Sequence, residues 1–208
     1  MSNNKFLTII STLFIIICFS INTYAITEKQ YLIINDLIEQ ENIDKAYEDL
    51  KIFQKGKGKL SARSQILIGK IYLALEQPAK AFTFFEKATF TSTSTDDRAY
   101  AGMSLSSLKL GNLTDAQKYA EKALERNHDL VQAKLALGQV YLDFGQIEKS
   151  EKYFKQAILA SPNSQVSARI YASSKMRQGK LNKAKKIILT ALLNQKPDAA
   201  TIDLLGKI

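Results

Sequence analysis

The stretch Leu137-Gly-Gln-Val-Tyr-Leu-Asp-Phe-Gly-Gln146 holds two glycines seven residues apart, with Tyr141 and Phe144 between them. Such glycines can build a loop whose backbone N–H groups cradle a phosphate, provided they lie outside regular helix. Otherwise they serve packing and helix termination. A second candidate, Gln54-Lys-Gly-Lys-Gly-Lys59, is basic and glycine-rich and could touch an anion, although a solvated turn has the same composition. No GxxxxGK[ST] phosphate-loop pattern occurs. His128 is the only histidine and Cys18 the only cysteine. One histidine makes neither an ordinary zinc site nor a Ser-His-Asp set. Glu121, Glu125, Glu148 and Glu151 stand among lysines at the i,i+3 and i,i+4 spacing of solvated helix faces. The reading is a chain with no catalytic, cofactor or metal site.

The glycines acquire a purpose from the elements around them. Ala123, Ala157 and Ala191 are 34 residues apart, and Ala88 stands 35 before Ala123. Ala46, Ala81, Ala116, Ser150 and Ala184 form a second row with the same period, and Ile33, Ile68, Met103, Leu137, Tyr171 and Leu205 a third. A fixed period of this length marks a repeat architecture in which each unit buries its apolar face on the next. Within a period the apolar residues fall at helical spacing: Leu137, Val140, Tyr141 and Phe144, then Ile147, Phe154 and Ile158. Gly111, Gly145 and Gly179 fall between the two helices of successive units, where glycine supplies a left-handed cap. Thr27-Glu-Lys-Gln30 and Thr114-Asp-Ala-Gln117 both fit a capping box at a helix start. The row Gly69, Ser104, Gly138, Ala172 and Gly206 is small throughout, as a close helix crossing requires. Gly138 is therefore expected inside a helix and Gly145 at its end.

On these residues the chain resembles the tetratricopeptide repeat family, whose pattern is W-x2-L-G-x2-Y, then A-x3-F, then A and P. Residues 131–164 carry Leu137, Gly138, Tyr141, Phe154, Ala157 and Pro162 at the matching places. They depart at Lys134, where the family has tryptophan, and at Ser150, where it has alanine. Residues 62–95 carry Ile68, Gly69, Tyr72, Ala81, Phe85 and Ala88; residues 97–130 and 165–198 match less well, and 27–60 diverge most. The resemblance implies an all-α fold, a right-handed α-solenoid of about five helical hairpins over residues 27–198. Residues 199–208 begin a sixth repeat or form a capping segment.

The first 25 residues differ from the rest. Lys5 precedes a nearly unbroken apolar run, Phe6 to Phe19, and a more polar end at Ala25. This is the pattern of a secretory signal peptide with cleavage after Ala25. The run is shorter than the roughly 20 residues of a spanning helix; the alternative is an uncleaved anchor in the inner membrane, facing the periplasm. Ile15-Ile-Ile17 before Cys18 does not fit a lipoprotein signal. Cleavage would leave a periplasmic chain without cysteine, and hence without disulfides.

The net charge of +9 suits acidic proteins, anionic lipid or anionic glycan, without choosing among them. In the family the first helix of each hairpin lines a concave face that binds peptides or partner helices. Carried over by repeat, the expected groove residues are Arg63, Lys70, Arg98, Lys109, Gln139, Asp143, Arg169, Ser173 and Arg177, beside Tyr31, Asn35, Ile66, Leu105 and Leu135. Six of these are basic and one is acidic, so an acidic peptide is a suitable partner, arginine gripping carboxylate in bidentate fashion. The lysine-and-asparagine clamp that some members use for a C-terminal carboxylate does not occur as a set. The expected function is an exported scaffold for protein partners in cell-envelope assembly or secretion. The alternatives are an inner-membrane-anchored form and a binder of acidic polymer or glycan. Nucleic acid is disfavoured, because the basic residues lack interleaved exposed aromatics for base stacking. Membrane contact is expected only if residues 1–25 are retained.

Overall fold

The structure, a computed structural model, describes residues 27–40, 42–55, 60–91, 96–193 and 195–208. The predicted signal segment, and residues 56–59 of the basic turn, lie outside these. Among the described residues there are eleven helices and no strands. They are α1 (Glu28–Glu39), α2 (Ile43–Gln54), α3 (Ala62–Ala74), α4 (Pro78–Thr91), α5 (Asp96–Lys109), α6 (Leu113–Arg126), α7 (Val131–Asp143), α8 (Ile147–Ala160), α9 (Gln165–Arg177), α10 (Leu181–Ala191) and α11 (Ala199–Gly206).

Consecutive helices pack as hairpins, and each second helix also packs on the first helix of the next hairpin. The odd-numbered helices touch one another in order from α1 to α11. They therefore form the tighter, inner layer of the α-solenoid. Its hydrophobic core is a chain of local clusters rather than one centre, such as Phe85 with Ile66 and Met103, and Phe154 with Leu135 and Tyr171. That is how a repeat array divides its burial.

The small rows do what close packing requires. Ala46, Ala81, Ala116, Ser150 and Ala184 have no exposed surface. Gly138 lies within α7, and a Cβ placed on it would meet the Phe154 ring of α8 at 2.6 Å. Gly69 faces Phe85 in the same way, at 2.8 Å. In the third hairpin Ser104 takes this place and donates its hydroxyl hydrogen to the Ala116 carbonyl at 2.7 Å, joining α5 to α6. Gly206 ends α11, and nothing lies within 4 Å of its Cβ position. Ser150 is less well served: its buried Oγ has no hydrogen-bond partner among the described residues.

Gly111, Gly145 and Gly179 end α5, α7 and α9 with φ of +79°, +74° and +71°. At Gly145 the two bonds of a Schellman cap are present, Gly145 N–H to Leu142 and Gln146 N–H to Tyr141. The equivalent place after α3 is held by Glu76, at φ +53°, the one non-glycine residue with positive φ among those described. At the helix starts, Thr27 and Gln30 form the reciprocal capping box. Thr114 and Gln117 do not. α6 already begins at Leu113, with Asn112 at the N-cap, because the Gly111 turn brings Asn112 N–H back onto the Ser107 carbonyl. Gln117 instead donates to Glu121 at 2.8 Å.

α11 covers the end of the fifth hairpin. Asp198 caps it by accepting from Thr201 N–H at 2.7 Å, and Leu204, Leu205 and Ile208 cover Ala172, Ala184 and Ile188.

Candidate partner-binding groove

At the N-terminal end of the inner face, α1, α3 and α5 enclose a cleft of about 320 Å³. Tyr31 of α1 is buried there, and the Arg98 guanidinium of α5 lies 5.6 Å from its ring centroid. Arg98 itself is exposed. Beside them Lys70 Nζ donates to Asn35 Oδ1 at 2.5 Å. Leu105 and Gln132 continue the wall. The cleft thus offers one ammonium and one guanidinium over an apolar and aromatic floor.

The other predicted residues are placed differently. Lys109 Nζ reaches both carboxylate oxygens of Glu76, at 2.8 and 2.9 Å. Arg177 pairs with Asp143 at 2.8 Å, and Gln139 donates to the same carboxylate at 3.0 Å. Both ion pairs tie the end of one inner helix to the end of the next. They are largely solvated, and such pairs contribute about 0–1 kcal/mol. Arg169 reaches the next inner helix, bonding Asp198 just before α11 at 2.5 Å and the Thr201 hydroxyl at 3.1 Å. Burial pushes the Asp198 carboxyl up, but the Thr201 hydroxyl and N–H and the Arg169 guanidinium outweigh it and hold the group below its ordinary value. Arg63 and Ser173 sit half-buried in α3 and α9. The predicted residues therefore do not form one continuous basic strip. Lys70 and Arg98 converge on the cleft, and Lys109, Arg169 and Arg177, further along, each meet a carboxylate.

The sequence marks Lys134 as a departure from the repeat, but not its burial or that of Lys175. Lys134 and Lys175 occupy the family's tryptophan and tyrosine places. Lys134 pairs with Asp129 at 3.0 Å. Lys175 is nearly inaccessible, pairs with Glu151 of α8 and lies over the Tyr171 ring, 5.2 Å from its centroid. Extending the row Tyr72, Tyr141 by one more period leads to Lys175, so the signal was present.

Comparison with known proteins agrees with this geometry. Tetratricopeptide repeat models match residues 62–89 and 107–172. Human tetratricopeptide repeat protein 29 is 31% identical over 110 residues, covering 48% of this chain and 23% of its own length. The chain thus spans about a quarter of that relative. Among solved structures, TTC0263, a thermophilic TPR protein of Thermus thermophilus, superposes with a TM-score of 0.69 at 18% identity, covering 86% of this chain and 95% of its own. A tetratricopeptide repeat protein from Parabacteroides merdae gives 0.61 at 21% identity, covering 85% and 70%. At such identities the likeness is one of fold. The chain is a tetratricopeptide repeat protein, with a fold that generally serves as a protein-interaction scaffold.

Proposed function

We propose that this chain is an exported, non-catalytic scaffold that holds a protein partner along its inner face in the bacterial cell envelope. The observation that carries the binding reading is the cleft between α1, α3 and α5, where Arg98 lies over the Tyr31 ring and Lys70 donates to the Asn35 side-chain carbonyl. An acidic or carboxylate-bearing peptide segment fits it, its apolar side chains meeting the floor and its charge the two cations. The remaining inner-face residues, Arg63, Lys109, Gln139, Asp143, Arg169, Ser173 and Arg177, border the path of such a segment toward the C-terminal end. The carboxylates paired with Lys109, Arg169 and Arg177 weigh against a polyanion such as an acidic glycan. Export rests on the apolar segment Phe6 to Phe19 and the small residue Ala25.

Two experiments test this. N-terminal sequencing of the protein from envelope fractions should begin at Ile26; a chain retaining residues 1–25 replaces export with anchoring. Lys70→Ala with Arg98→Ala should abolish partner capture from envelope extracts while the helical circular dichroism stays unchanged. Undiminished capture refutes the cleft as the binding site.

A further inference from the structure

The outer face carries a second cavity, on the far side of the inner helices. It lies between α8 and α10, has a volume of about 530 Å³, and is floored by Tyr171 and Lys175 of α9. Its floor includes a position that differs among the hairpins, being Ser107 in the third. In the second and fourth hairpins Tyr72 and Tyr141 stack on Phe84 and Tyr153 of their second helices, with centroids 5.4 and 5.5 Å apart. In the fifth hairpin the corresponding residue is Lys175, which bends onto Glu151 and supplies no ring to fill the gap.

The walls are apolar, formed by Ile158, Leu159 and Ile187, and Leu159 is 78% exposed. The rim is cationic: Lys155, Lys183 and Lys186 line it and are exposed. Lys183 and Lys186 have no ion pair among the described residues, and α10 contains no acidic residue. The one carboxylate in the cavity, Glu151, is already matched by Lys175.

We propose that this cavity binds a single anionic amphiphile, an acyl chain with a carboxylate or similar head. The tail lies on Ile158, Leu159 and Ile187, and the head meets Lys155, Lys183 and Lys186. The volume is in the range of small-ligand pockets, about 300–1,000 Å³. The polar groups of the cavity are gathered in the lysine rim, so a ligand with one anionic group and an otherwise apolar body matches its lining. The site is independent of the inner-face cleft.

The test is calorimetric titration of the full chain with sodium dodecanoate below its micelle concentration. Saturable one-to-one binding is expected. Lys183→Glu with Lys186→Glu should weaken it about tenfold or more, as expected for two solvated charge contacts turned repulsive. Leu159→Ser, at an exposed position that leaves the core untouched, should weaken it too. Arg98→Ala should bind like the wild type. Absence of saturable binding overturns the proposal, as does equal affinity of the two outer-face variants and the wild type. Association with phosphatidylglycerol vesicles but not with monomeric dodecanoate also overturns it, since that would make this face a membrane-contact surface rather than a pocket.

Discussion

Arg98 lies over the ring of Tyr31, 5.6 Å from its centroid, although two full repeats separate them in the chain. The curvature of the inner layer brings them together across α3. A cation over an aromatic face at an exposed site contributes about 0.5–1 kcal/mol. Arg98→Ala should therefore lower thermal stability only slightly, within that range, and act mainly on partner binding. A large drop in melting temperature would assign Arg98 to the fold rather than the cleft.

Gly138→Val should destabilise by about 1–3 kcal/mol, because Phe154 has no room to move away from a new side chain. Gly206→Ala meets nothing within 4 Å and should be neutral or mildly stabilising. Denaturant unfolding of both variants checks the contrast. Equal effects would remove the close-packing role assigned to Gly138.

Ser150→Ala should stabilise by about 1 kcal/mol, since it deletes a buried hydroxyl that has no partner and restores the residue best suited to a helix. The thermal midpoint is the readout. A loss of stability would show that the hydroxyl is bonded in solution.

Gly145→Ala should cost about 1–2 kcal/mol, the usual strain of a side chain in the left-handed region. Glu76→Gly should go the other way, because Glu76 already bears that strain at φ +53° and its solvated pair with Lys109 returns little. Equilibrium unfolding measures both.

Stability should also depend on pH through Glu151. The hydrogen bond from Lys175 holds its carboxyl below the ordinary value; burial opposes this, and the charges of Lys175, Lys180 and Lys155 add to the lowering. A folded value below the unfolded one means a contribution that is complete above about pH 4.3 and lost as pH falls through the folded value. Glu151→Gln should therefore be less stable than the wild type at pH 7, by roughly 1–3 kcal/mol, less than for a fully buried pair. The gap should narrow below about pH 4. A gap that is constant with pH would contradict the assignment.

The array was legible in the sequence because its constraints repeat. Alanine at the crossings and glycine at the caps recur every 34 or 35 residues, so these positions are stated several times. What escaped were the single exceptions. Glu76 in the left-handed cap breaks a glycine row, and Lys175 is buried at the place where Tyr72 and Tyr141 stack in other hairpins. The inner-face cations were legible as placements on the first helices but not as charges, because their carboxylates come from elsewhere in the chain. Asp198 reaches Arg169 from the turn before α11, and Glu76 reaches Lys109 from the end of α3. The capping box at Thr114 shows the same limit: the local motif was present, but the turn at Gly111 started the helix earlier.

Whether a protein partner lies along the inner face is best decided by photocrosslinking in the native cell. A benzophenone side chain is placed in turn at Gln132, Gln139 and Ser173 on the inner helices and at Glu125 on the outer helix α6. Inner-face binding gives a common adduct from the three inner positions and none from Glu125. An adduct from Glu125 alone would place the partner on the opposite face and refute the scaffold reading of the groove.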